Sequence, residues 1–86
     1  MKTKYLKHEI GNIYYYRVRK AKKNEIVQYI GGNGLKVDKI IIHRDNTYEI
    51  GETCLENTIN KDIIVIDKAE WNDVLDKAIK YINKLR

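Results

Sequence analysis

The stretch GNIYYYRVRKAKKNEIVQYIGGNG, residues 11–34, runs three tyrosines into a block of arginine and lysine and then returns through a second apolar run. β-Branched and aromatic residues on both sides of a Lys- and Asn-rich connection predict a hairpin of two strands, Ile13 to Arg19 and Glu25 to Ile30. With the turn at Lys22-Lys23, Lys20 faces Glu25, Val18 faces Val27 and Tyr16 faces Tyr29. One face then carries Tyr14, Tyr16, Val18, Val27 and Tyr29, a layer suited to a core. The other carries Ile13, Tyr15, Arg17, Arg19, Ile26, Gln28 and Ile30. Lysine does not favour a primed turn, and one extra residue in the loop exchanges the two faces.

Working outward, Lys4 to Ile10 reads as a strand that ends at Gly11-Asn12. Beyond the GGNG loop, Val37 to Arg44 predicts a long strand that turns at Asp45-Asn46 and returns over Thr47 to Ile50, pairing Ile41 with Ile50 and His43 with Tyr48. Gly51 to Lys61 reads as a loop. The run DIIVID, Asp62 to Asp67, is apolar on both faces and predicts a central strand. A helix over 68–85 follows from Asp67 as N-cap, Glu70 at the capping-box position and a stripe of Trp71, Val74, Leu75, Ala78, Ile82 and Leu85. Trp71 is expected to anchor that helix on the sheet. The fold class is α+β, a single domain over 1–86 with β-rich residues 4–66, about four to six mainly antiparallel strands and one C-terminal helix packed on one face.

The 86 residues carry a net charge of +5, but the charge is concentrated at the front. Residues 1–36 hold nine Lys or Arg against Glu9 and Glu25, whereas residues 37–86 hold eight basic against ten acidic side chains. Such a field favours an anionic partner and excludes a mimic of nucleic acid. A chain this short buries a small core, so a homodimer is a reasonable expectation. One cysteine, Cys54, precludes an intrachain disulfide, and no apolar run approaches the ~18 residues of a membrane span, so a cytoplasmic protein without membrane contact is expected. Abundant Ile, Lys, Asn and Tyr match AT-rich codons, which suggests a virus or mobile element of a low-GC microbe.

Tyr14, preceded by Ile13, and Tyr29-Ile30-Gly31 resemble the two motifs of the GIY-YIG nucleases, over about twenty residues. That resemblance implies a metal-dependent phosphodiester site lined by both tyrosines. The chain departs from the family at Asn12, where the first glycine belongs, and its only arginines after Gly31 are Arg44 and Arg86, neither placed as the family's helical arginine. The two motifs are therefore read as strand composition, and no enzyme is expected. The loop Gly31-Gly32-Asn33-Gly34 lacks the spacing of a phosphate-binding loop. Cys54, His8 and His43 have no metal-ligand spacing, so neither metal nor cofactor is expected.

What remains is the basic hairpin. Tyr15, Arg17, Arg19, Lys20, Lys22, Lys23 and Gln28 form the expected nucleic-acid-binding set: cations for phosphates and a tyrosine ring for an unpaired base. The expected function is non-catalytic binding of DNA or RNA. The alternatives are an inhibitor or adaptor that docks on a host nucleoprotein complex, and a binder of a small signalling nucleotide.

Overall fold

The computed structural model describes residues 2–23, 25, 34–53 and 62–85, and these described residues form five strands and one helix. The strands are β1 (Lys4–Ile10), β2 (Asn12–Lys20), β3 (Leu35–Ile42), β4 (Tyr48–Thr53) and β5 (Ile64–Ile66), and the helix is α1 (Lys68–Lys84). They make one antiparallel sheet in the order β4-β3-β2-β1-β5. This is the small α+β fold that the sequence predicts.

The helix forms where its local signals are strongest. Asp67 sits in extended backbone and its Oδ1 accepts the Glu70 amide at 2.8 Å, which satisfies one of the donors that a helix start leaves open. Trp71, Val74 and Ala78 are buried against the sheet, and Asp73–Lys77 and Asp76–Lys80 pair on the outer side at 3.0 Å each. Alternation along each strand puts Tyr15, Ile40, Tyr5, Ile13, Ile42 and Tyr48 on the helix side, and the first two join Trp71, Val74 and Ala78 in the main core. Tyr81 meets Tyr48 with ring centroids 5.6 Å apart, so α1 leaves β5 and crosses the sheet towards β4. Tyr16, Val18 and Val37 form a second buried cluster on the opposite face, with Leu6, Tyr14 and Leu35 packed around it.

The central hairpin needs correction. β2 pairs with β1 along one edge, Lys4 with Val18 through Ile10 with Asn12, and with β3 along the other, Ile13 with Ile42 through Lys20 with Leu35. Both edges of Ile13 to Val18 are thus occupied, and this strand cannot pair with Glu25 to Ile30. Residues 26–30 lie outside the described residues. The single-residue connection at Gly11, with φ +74°, makes β1 the natural partner, because glycine adopts that conformation without strain.

Two smaller expectations also change. β4 pairs Ile50 with Ile40 and Tyr48 with Ile42, one residue away from the predicted register. Asn46 adopts φ +65° and donates its amide to the His43 carbonyl, while the His43 amide donates to Thr47, so the loop holds three residues rather than two. β4 also continues through Gly51, Glu52 and Thr53, which were expected in a loop; residues 54–61 lie outside the described residues. β5 is a three-residue edge strand rather than a central one, since among the described residues it pairs with β1 alone.

Candidate nucleic-acid interface

The expected binding set divides once the register is known. Tyr15, Arg17 and Arg19 all point to the side on which α1 packs. Tyr15 is 5% exposed in the core, with the Lys7 ammonium 5.6 Å from its ring centroid, and has no free face for a base. Arg17 places its guanidinium carbon 5.2 Å from the centre of the Trp71 ring and donates Nε to Asp38 Oδ2 at 2.9 Å. Its charge is therefore spent on a cation–π contact and a carboxylate.

Arg19 is held more firmly. Its Nε donates to Asp38 Oδ2 at 2.8 Å, and its two terminal nitrogens donate to Glu25 Oε1 and Oε2 at 2.6 and 2.8 Å, a bidentate fork. Lys36 extends the chain of charges to Glu25 at 3.5 Å and Glu52 at 2.9 Å. Three cations thus meet three carboxylates, and the corner is locally neutral. Donation from Arg19 and from the Lys22 amide holds the Glu25 carboxyl far below its ordinary value, and its two carboxylate partners raise Arg19 further. The network roofs the part of the sheet that α1 leaves open, where Asp38 of β3 faces Arg17 of β2 and Glu52 of β4.

Lys20, Lys22 and Lys23 stand differently. All three are exposed at the end of β2, and no carboxylate among the described residues pairs with them. Pairing of Lys4 with Val18 brings the start of β1 to the same end, so exposed Lys2 and Lys4 join them. An open recess of about 660 Å³ separates Lys2–Tyr5 from Val65–Lys68 there. Gln28 lies outside the described residues, as do Cys54, Tyr29 and Gly31–Asn33.

The predicted hairpin does not bring Lys2 and Lys4 beside Lys20; the tight Gly11 turn, which pairs β1 with β2, is the signal in the sequence that does. His43 lies 3.0 Å from Glu49 rather than beside Tyr48 on an inner face. Tyr14 lies beside Tyr16 and His8, with ring centroids 6.4 and 6.2 Å away, and the other tyrosine of the resemblance, Tyr29, lies outside the described residues. Among the described residues no group of three or more His, Cys, Asp or Glu is placed to hold a metal ion, and no helix is long and apolar enough to cross a membrane. No protein-family model, curated protein or solved structure matches the chain.

Proposed function

We propose that the protein is a non-catalytic nucleic-acid binder whose contact surface is the lysine-bearing end of the sheet: Lys2, Lys4, Lys20, Lys22 and Lys23. The observation that carries this reading is the difference in partners. The neighbouring Arg17, Arg19 and Lys36 are neutralised by Asp38, Glu25 and Glu52, whereas the five exposed lysines have no carboxylate among the described residues. Like charges gathered on a folded surface repel one another, and a polyanion that inserts phosphates between them relieves that repulsion and releases its condensed counterions. Lysine contacts phosphate as a point charge and reads no base, so binding through these five is largely indifferent to sequence.

Fluorescence anisotropy with labelled single- and double-stranded DNA and RNA tests the reading. With five phosphates neutralised on a duplex, affinity falls by about four powers of ten per tenfold rise in salt. Replacing Lys20, Lys22 and Lys23 together by serine lowers the salt slope by about three and weakens binding to every sequence alike. Absence of binding at low salt, or a slope unchanged in the triple variant, overturns the proposal.

A further inference from the structure

The two ends of the sheet are treated differently by the sequence. An open edge offers unpaired backbone N–H and C=O groups, and natural sheets blunt such edges with charge, proline or a bulge. β4 follows that practice, with Glu49 and Glu52 exposed along it. β5 does not. Its three residues are Ile64, Val65 and Ile66, with no charge or proline, and Ile64 is 57% and Val65 77% exposed. On its inner side β5 pairs with Tyr5, Leu6 and Lys7; among the described residues nothing pairs with its outer side.

We infer that the outer edge of β5 is the interface for a second copy of this chain, joined antiparallel about Val65 into a continuous sheet. The register argues for a second copy over an unrelated strand because it is self-complementary. Residues equidistant from Val65 meet, so Ile64 faces Ile66 of the partner subunit, apolar against apolar on the helix side, and the two Val65 side chains adjoin on the other. The β4 edge has no such match: a symmetric pairing centred on Ile50 sets Glu52 against Tyr48, and one centred on Gly51 sets Glu52 against Ile50, a charge against an apolar side chain in either case.

Among the described residues no element stands in the way of the junction. α1 starts at Lys68 beside β5 but heads over its own sheet, where Tyr81 reaches Tyr48 of β4, so the helix bodies of two copies diverge from the joint. The contact is short, three residues on each side, and belongs with weak interfaces. It uses none of the five lysines of the proposed nucleic-acid surface.

Sedimentation velocity across protein concentrations from about 1 µM to 1 mM tests the inference. The wild-type mass rises from that of a 10.2 kDa monomer towards twice that value with concentration. Val65→Lys stays monomeric across the range while keeping the wild-type melting temperature measured on the monomer at low concentration, and Ile50→Lys on the β4 edge associates as the wild type does. Hydrogen exchange on the wild type gives a second readout, with slower exchange at Ile64–Ile66 at high concentration and no change at Tyr48–Thr53. A wild-type mass that stays monomeric throughout overturns the inference, as does a Val65→Lys variant that still dimerises or an Ile50→Lys variant that alone fails to. Anisotropy with nucleic acid is unaffected by any of these outcomes at protein concentrations below the dimerisation range.

Discussion

Arg19 receives two carboxylates that arrive from different parts of the chain, Glu25 six residues on and Asp38 nineteen residues on, across β3. Removing the guanidinium leaves both anions in a half-buried corner with only Arg17 and Lys36 to offset them. Arg19→Ala is therefore expected to lower the melting temperature by about 5 °C or more while leaving the salt slope of nucleic-acid binding unchanged. Arg19→Lys recovers little of that loss, because an ammonium cannot reproduce the fork to Glu25 and the bond to Asp38 together. Thermal melts of the two variants, read beside their anisotropy titrations, check both statements. An Arg19→Ala protein that melts as the wild type and no longer binds would return Arg19 to the phosphate-contacting set. The sequence shows an arginine on the Tyr15 face of β2 but not its partners: Asp38 is placed by a strand pairing that no local pattern encodes.

At the scale of the element, legibility tracks how local the deciding interactions are. α1 was readable in full because its cap, its apolar stripe and its outer ion pairs all lie within a few residues of one another. β2 was readable as a strand, but its partner was not. Two apolar runs separated by a basic loop satisfy the hairpin pattern, whereas the true neighbours are fixed by a one-residue glycine turn on one side and by a connection of fourteen residues, 21–34, on the other. β3 and β4 were paired correctly but slipped by one, since Asn46 accommodates a left-handed backbone and adds a residue to the loop. For β5 an apolar run predicts burial, although three consecutive apolar residues at an edge fit a strand awaiting a partner equally well. The helix cap gives the test at this scale. Asp67→Ala removes the bond to the Glu70 amide and is expected to cost about 1 kcal/mol, seen as a fall in melting temperature of about 4–8 °C. Asp67→Asn and Asp67→Ser, which keep an oxygen at that position, recover most of it; equal losses in all three would mean that the cap contributes nothing.

At the scale of the whole molecule, the charge asymmetry sets both what the surface can bind and how the fold responds to acid. At neutral pH seventeen basic side chains face twelve acidic ones, and the acidic ones near the front of the chain are engaged in holding cations in place. Glu25 is the clearest case: the Arg19 fork keeps its carboxyl charged well below the ordinary value of 4.5. The unfolded chain therefore takes up this proton at higher pH than the folded chain does, so stability rises with pH across that interval. Its contribution is fully present above about pH 5, begins to fade as the pH passes below the ordinary carboxylate value, and is lost as the pH falls through the folded one. Once Glu25 is protonated, Arg19 and Lys36 lose a shared counter-charge within a surface already crowded by the five exposed lysines, so the two effects add. Melting temperatures between about pH 6 and pH 2.5 should therefore fall for the wild type, and fall less steeply for Glu25→Gln, which starts lower at pH 6 because the fork is already weakened. Added salt should flatten the remaining slope of Glu25→Gln more than it flattens that of the wild type, since what remains there is repulsion between exposed charges rather than the protonation of one paired carboxyl. Parallel wild-type and Glu25→Gln curves across the acid range would place the acid response elsewhere in the molecule and remove Glu25 as the group that couples the neutral corner to the charged end.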